Sequence, residues 1–362
     1  MPHHRTIVHV VGARPNFMKL APVHAALRAR GVRQSVVHTG QHYDAVMSDA
    51  ILKELGLPEP DVNLGVGSGS HATQTAQVMV AMEEHLGSAT PDLLLVYGDV
   101  NSTMAATVAA VKLGVDVGHV EAGLRSGDRS MPEEINRLVT DRLARWLFTP
   151  SRDGDENLLK EGADPASIRM VGNVMIDTLV RLLPIADGER ELRAFALQNG
   201  TGPRPFALVT LHRPSNVDDP EMLGRLFGAL DGIAGQLPVV FPVHPRTRER
   251  MRRFGIEGGR VSLSDPLTYL QFLGLQRHAT LVITDSGGVQ EETTYLGVPC
   301  LTMRENTERP VTVTVGTNRL IGRDTGAMRR EVDAILAGRG KTGSIPDLWD
   351  GRAAGRIADA LA

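Results

Sequence analysis

From residue 6 onward, short apolar runs rich in β-branched residues alternate with stretches whose apolar positions recur at helical spacing. A strand–helix–strand rhythm of this kind is best buried as a parallel sheet with helices on both faces. TIVHVVGA (6–13) reads as a buried strand and NFMKLAPVHAALRAR (16–30) as a helix. SVVHTG (35–40), LLLVYGD (93–99), VDVGHVEAG (115–123) and RWLFTPS (145–151) repeat the strand signal, with helical stretches near 44–55, 71–87, 102–113 and 133–145. In the second half FALVTLH (206–212), VVFPVH (239–244), VSLSD (261–265), TLVITDS (280–286) and PCLTMR (299–304) are strand-like, and 220–236, 267–277 and 288–297 are helical. Patterning is weakest at 184–205, and the hinge is expected near 170–180. The expected fold is α/β: two Rossmann-like, doubly wound parallel-sheet domains, 1–172 and 173–350, facing a central cleft.

A chain of 362 residues is long enough for two such cores, and a formal net charge of −3 argues against nucleic acid or an anionic membrane as a general partner. The single cysteine, Cys300, excludes an internal disulfide, and there is no CxxC or paired-histidine spacing for a metal. No run approaches the roughly 18 apolar residues of a membrane span, and the start enters a strand without a cleavable signal pattern. A soluble, cytoplasmic protein is expected.

Almost every expected strand ends in a tight polar cluster, and open α/β sheets bind ligands at those carboxyl ends. Gly12-Ala13-Arg14-Pro15-Asn16 closes the first strand and opens a helix, with Lys19 one turn further on. Proline suits a first helical turn, whose free N–H groups favour an anion, and Arg14 and Lys19 add positive charge. A basic first turn of no consequence would look the same. Asp285-Ser286-Gly287-Gly288 repeats the arrangement: two glycines let a phosphate approach the backbone, and the serine hydroxyl can donate to it. Glu291 and Glu292 follow on the helix, where a carboxylate can accept from ribose hydroxyls, and Thr307-Glu308-Arg309-Pro310 offers another basic donor. Gly65-Val66-Gly67-Ser68-Gly69-Ser70 misses the dinucleotide spacing and reads as a loop. Neither a phosphate-binding GxxxxGK[ST] loop nor a GxSxG serine elbow occurs.

Asp99, Glu121, His212 (ahead of Arg213) and His244 each end an expected strand. Singly they are ordinary strand-end residues; together, around one cleft, they are acid–base candidates. The densest charged stretch is HVEAGLRSGDRSMPEEINR (119–137). Ser130 and Glu133 have capping-box spacing, and Glu133 and Arg137 stand one helical turn apart. A carboxylate fixed at a helix start near Glu121 is also what a positioned acid–base group requires, whereas Arg125, Asp128 and Glu134 read as structural.

In order along the chain, GARPNFMKLAPV, HTGQHYD, VYGDVNST, HVEAGLRSGDRSMPEEINR, GNVMIDTL, VTLHR, PVHPRT, LSDPLTYLQFL, TDSGGVQEET and NTERPVTVTVGTNRL closely resemble the non-hydrolysing UDP-N-acetylglucosamine 2-epimerases. The resemblance implies the GT-B architecture, with a C-terminal helix at 351–362 crossing back to the first domain. It implies interconversion of UDP-N-acetylglucosamine and UDP-N-acetylmannosamine by elimination of UDP, a 2-acetamidoglucal intermediate and re-addition, with no NAD, metal or other cofactor. By motif, Asp99, Glu121, Glu133 and His212 become the acid–base residues. Arg14, Lys19, His212, Ser286, Gly287, Gly288 and Arg309 become diphosphate ligands, His244 joins the UDP-binding set, and Glu292 takes the ribose. Gln41 and His42 match a regulatory-type motif, and relatives are commonly dimers.

Two departures bear on regulation by a second substrate molecule and on the sugar. Many bacterial members carry a glutamate where this chain has Ser215, and the stretch between Asp128 and Pro132 is shorter here. Relatives also act on 2,3-diacetamido uronic acid analogues. A hydrolysing 2-epimerase, a glycosyltransferase and a non-catalytic UDP-sugar sensor are the competing readings.

Overall fold

The computed structural model describes residues 5–41, 52–199 and 202–361. The chain divides into two compact units, Met1–Arg181 with Asp347–Ala362, and Leu182–Pro346. The first is built on strands β1 (Thr6–Val11), β2 (Arg33–His38), β3 (Val62–Asn63), β4 (Leu93–Tyr97), β5 (Asp116–Val120), β6 (Trp146–Thr149) and β7 (Ile168–Met170). Their order is β3-β2-β1-β4-β5-β6-β7, and every pairing is parallel. The second unit opens with a small antiparallel pair, β8 (Gln198–Asn199) and β9 (Gly202–Pro203), within the weakly patterned stretch. Its main sheet comprises β10 (Ala207–Thr210), β11 (Val239–Pro242), β12 (Ser262–Ser264), β13 (Leu281–Thr284), β14 (Cys300–Thr302) and β15 (Asn318–Leu320). The order β12-β11-β10-β13-β14-β15, again all parallel, repeats the pattern of the first unit. In each sheet the winding reverses between the first and fourth strands, so β1/β4 and β10/β13 are the switch points where ligands are expected.

The central strands are apolar on both faces because helices cover both sides. All of LLLVY in β4 and VVFP in β11 is buried. In the first unit Val8, Val10, Val37, Leu94, Val96 and Val117 form part of one core with Val78, Met82 and Leu86 from the helix His71–Ala89. In the second, Val209, Phe241, Leu281 and Ile283 pack against Leu223, Leu226 and Leu230 from the helix Pro220–Ala234. The helix expected at 44–55 lies mostly outside the described residues, which include its end, 52–55, as helical.

The division between the units falls at Arg181/Leu182 and Pro346/Asp347, not at 172/173 and 350/351. The physical reason lies in the helix Val174–Leu182. Pro22 sits inside the helix Arg14–Ala29 and has no N–H for the carbonyl of Met18 one turn back. The Thr178 hydroxyl takes that carbonyl instead, at 2.6 Å. Immediately before Thr178 in the chain, the Asp177 carboxylate accepts from Ala353 N–H (3.0 Å) and Ala354 N–H (2.7 Å), covering the first turn of the C-terminal helix Ala353–Leu361. Arg5 donates to Leu361 O and the buried Trp349 indole to Pro150 O, so the last residues belong to the first unit.

Candidate active site

In the first unit the switch point is tied by Asn16. Its Oδ1 accepts from Gly12 N–H and Ala13 N–H, both at 3.0 Å, while Nδ2 donates to Tyr97 O at 2.7 Å. One buried amide thereby joins the end of β1 to the end of β4 and satisfies free donors at the helix start. Arg14 is exposed, whereas Lys19, one turn on, is buried and its ammonium contacts the Glu121 carboxylate. Glu121 lies just past β5, itself buried, with φ +77. That left-handed backbone costs a non-glycine residue about 1–3 kcal/mol and is held by Glu121 N–H and Ala122 N–H donating to Phe148 O. The turn after β4 must be glycine: Gly98 has φ +63, and a Cβ there would stand 2.6 Å from Lys19 Nζ.

Asp99 follows on that turn and receives Arg137 Nη1 at 2.5 Å. Arg137 is buried and also grips Glu134, at 2.7 and 3.2 Å. The helix Pro132–Leu143 begins at Met131 without a side-chain cap, which corrects the capping box expected from Ser130 and Glu133. Ser130 instead donates to Asp128 Oδ1 from both N–H and hydroxyl. The expected Glu133–Arg137 pair is replaced by Glu134–Arg137, one residue later. Glu134 is buried and also accepts from Ser126 N–H, Ser126 Oγ and Gly127 N–H. Burial raises the Glu134 pKa, but these donors and the Arg137 charge outweigh it and hold the carboxyl below its usual range. Glu133 is half-buried and makes no side-chain hydrogen bond among the described residues. Gln41, past β2, accepts from Ser102 N–H (3.1 Å) and Ser102 Oγ (2.7 Å); His42 lies outside the described residues.

In the second unit the switch point is tied by a carboxylate. Asp285, fully buried at the end of β13, accepts from His212 N–H (3.0 Å), Arg213 N–H (2.9 Å) and Asn216 Nδ2 (2.9 Å). His212 Nδ1 stands 3.1 Å from the same carboxylate, and the ring packs against His244 with centroids 5.5 Å apart. Burial raises the Asp285 pKa, and the His212, Asn216 and Arg213 donors more than reverse it. His244 caps the helix Pro245–Phe254, Nδ1 accepting Arg246 N–H at 3.2 Å; burial, then His212 and Arg246, lower its pKa.

Ser286 precedes the helix Gly287–Leu296, and the Arg309 guanidinium lies across its first turn. A Cβ on Gly287 would stand 2.5 Å from Arg309 Nη1, so a side chain there would have to displace that guanidinium. Arg309 Nε is 2.7 Å from Glu291 Oε1, and Nη1 is 3.5 Å from Glu308 Oε2. Glu308 also takes a two-pronged contact from Arg304. Burial raises the Glu308 pKa, but Arg304 and Arg309 bring it down to about 2. Glu292 is buried next to Tyr269, whose phenol is held protonated by burial and by that carboxylate.

Thus Lys19, Asp99 and Glu121 meet at the switch point of one unit, and His212, His244, Ser286, Gly287 and Arg309 at that of the other. Sequence reasoning gave no role at the site to Asn16, Asp141, Asp285 or Glu308, and to Arg137 only a pairing with Glu133. The one available signal was position: Asp285 directly follows β13, and Asn16 lies in the first turn of the helix that follows β1. Among the described residues no group of three or more His, Cys, Asp or Glu side chains is arranged to hold a metal ion, and no helix is long and apolar enough to cross a membrane.

Two Rossmann-like units of all-parallel sheet in one chain place the protein in the GT-B fold class. Its fold matches the crystal structure of Methanocaldococcus jannaschii UDP-GlcNAc 2-epimerase in complex with UDP-GlcNAc and UDP, with a TM-score of 0.89 and 38% identity over 98% of this chain and 99% of that one. It is 41% identical over 334 residues, 90% of each chain, to a UDP-N-acetylglucosamine 2-epimerase of Methanococcus maripaludis. It is 40% identical to a UDP-2,3-diacetamido-2,3-dideoxy-D-glucuronate 2-epimerase of Pseudomonas aeruginosa, over 98% of this chain and 99% of the relative. Residues 25–362 match the sequence profile described as UDP-N-acetylglucosamine 2-epimerase, and the chain belongs to that family.

Proposed function

We propose that this chain catalyses the reversible C2 epimerisation of UDP-N-acetylglucosamine to UDP-N-acetylmannosamine without hydrolysing the nucleotide-sugar. The observation that carries the reading is the buried Glu121–Lys19 pair beside Asp99 at a switch point, in a chain of this family. The C2–H bond of a 2-acetamido sugar has no adjacent carbonyl to make it acidic. Departure of UDP with the C1–O electron pair builds positive character at C1, and a carboxylate then removes the C2 proton to leave a C1=C2 double bond. A proton returned on the opposite face and re-addition of the UDP oxygen at C1 complete the inversion.

Asp99, Glu121, Glu133 and His212 serve as the acid–base groups, acting from both faces of the ring. Arg14, Lys19, His212, His244, Ser286, Gly287, Gly288 and Arg309 stabilise the departing diphosphate, and Glu292 holds the ribose. Gln41 and His42 are the proposed regulatory pair. A homodimer working in the cytoplasm, supplying a polysaccharide pathway, completes the proposal; light scattering tests the dimer.

A second reading keeps the chemistry and changes the sugar to UDP-2,3-diacetamido-2,3-dideoxy-D-glucuronate. It is favoured by the Pseudomonas aeruginosa relative, which this chain matches over 98% of its length. Proton NMR in D₂O with each UDP-sugar tests both. Epimerisation gives deuterium at C2 and the manno-configured product. Release of free sugar would instead mark a hydrolase, and no exchange with either sugar would overturn the reading.

A further inference from the structure

The turns that carry Asp99 and Glu121 are pinned from behind by a second polar cluster. His119, on β5, has no exposed surface. Its Nε2 lies 2.8 Å from Gly98 O and its Nδ1 2.5 Å from Asp141 Oδ1. A carbonyl and a carboxylate are both acceptors, so each ring nitrogen is placed against an acceptor. The other oxygen of Asp141 accepts Gly123 N–H at 3.0 Å and Arg125 Nη1 at 2.7 Å. Burial raises the Asp141 pKa, but His119 and Arg125 outweigh it and keep the carboxyl below its ordinary range.

Gly98 immediately precedes Asp99, and its N–H donates to Val120 O; Gly123 follows Glu121 by two residues. Both glycines have positive φ, as does Glu121. A buried ion pair contributes little to stability compared with apolar residues of similar size. What apolar residues cannot do is hold a carbonyl on one turn and an N–H on the next in fixed directions.

We propose that His119 and Asp141 are a positioning pair, which fixes the Gly98 carbonyl and the Gly123 N–H so that Asp99 and the Glu121–Lys19 pair keep the geometry needed for proton transfer. This rests on the epimerase reading above. Neither residue touches the substrate in this role; the pair acts through the backbone that presents the acid–base groups.

The test compares Asp141→Asn, His119→Leu and His119→Gln with the wild-type enzyme, measuring kcat, KM, UDP affinity by calorimetry and thermal melting. Asp141→Asn should lower kcat about 100-fold while KM and UDP affinity stay within about threefold. His119→Leu should fall as far. His119→Gln, whose amide N–H still donates toward the Gly98 carbonyl, should recover about tenfold over His119→Leu. The proposal is overturned if folded variants keep kcat within about threefold of wild type, or if kcat, KM and UDP affinity decline together. It also falls if His119→Gln is no better than His119→Leu, or if all three variants fail to fold, since the pair is then only scaffold. A wild-type enzyme inactive on every UDP-sugar offered would instead overturn the epimerase reading itself.

Discussion

The two units repeat one strand order and one joint, yet they make the joint from opposite materials. In the first, a neutral amide, Asn16, clips β1 to β4, and the charge at the strand ends is a buried lysine–glutamate pair next to an aspartate held by arginine. In the second, a buried carboxylate, Asp285, gathers the donors after β10 together with the His212 ring, and Arg309 pairs with Glu291 on the helix that follows β13. The same backbone plan therefore presents carboxylates in one place and cationic or neutral donors in the other. Fold supplies the position of a site; the residue that ties the switch point sets its charge.

The comparison breaks most decisively at the carboxylates. Glu121→Gln, and likewise Asp99→Asn or Glu133→Gln, should reduce epimerisation about 1,000-fold and leave UDP binding largely intact, as read by rates and calorimetry. Wild-type turnover in all three would remove the first unit from the chemistry.

Next in size are the two joints. Asn16→Ala strands the Gly12 and Ala13 backbone donors, leaving Thr103 Oγ1 as the side-chain donor to the Tyr97 carbonyl, and should cost about 2–4 kcal/mol by denaturant unfolding. Asp285→Asn leaves one acceptor oxygen against the His212, Arg213 and Asn216 donors and should cost a comparable amount, located by hydrogen exchange in the second unit. Equal protection of both units in both variants would show that the joints are not separate.

Acid should separate the units as well. His9 is buried on β1 between the Tyr97 hydroxyl (2.7 Å) and Gln34 Oε1 (2.9 Å), and burial, followed by smaller opposing effects of Gln34 and His24, pushes its pKa down to about 3. Its folded pKa lies below the unfolded value of 6.5, so its stabilising contribution is complete above that pH and is lost as pH falls toward 3. Acidification from pH 6.5 to 5 should weaken the first unit by about 2 kcal/mol through this group alone. The strongly lowered Glu308 of the second unit begins to matter only below about 4.5, its ordinary value. His9→Gln should flatten the first window in a pH series of urea midpoints; an unchanged slope would assign the acid sensitivity elsewhere.

The smallest effect is expected at Gly287. A methyl group there takes the space of the Arg309 guanidinium, and Gly287→Ala should raise KM about tenfold with little change in kcat. A fall in kcat alone would contradict a binding role for that turn.

Hydrophobic runs and turn residues made much of this legible in advance: both parallel sheets, the polar strand ends and the family motifs. What escaped was whatever depended on a partner distant in sequence. Glu133 and Glu134 are chemically identical neighbours, and the i,i+4 rule favoured pairing Glu133 with Arg137. The structure buries Glu134 instead, because the loop 126–127 folds back and offers it two N–H groups. Ser130 had the right spacing to cap a helix, but Asp128 two residues earlier engages it first. The first unit extends to Arg181 because Thr178 completes a carbonyl left open by Pro22, a contact that nothing local in residues 174–182 shows.

By itself, then, the sequence determined the repeated strand–helix order and where each strand would end, since apolar periodicity and glycine or proline at turns act over a few residues. The tertiary structure alone decided which charges face one another: Lys19 with Glu121, Arg137 with Asp99 and Glu134, His119 with Asp141, Arg309 with Glu291. A buried charge survives only with a partner, and most of these partners lie on different elements, brought together only when the sheet has formed.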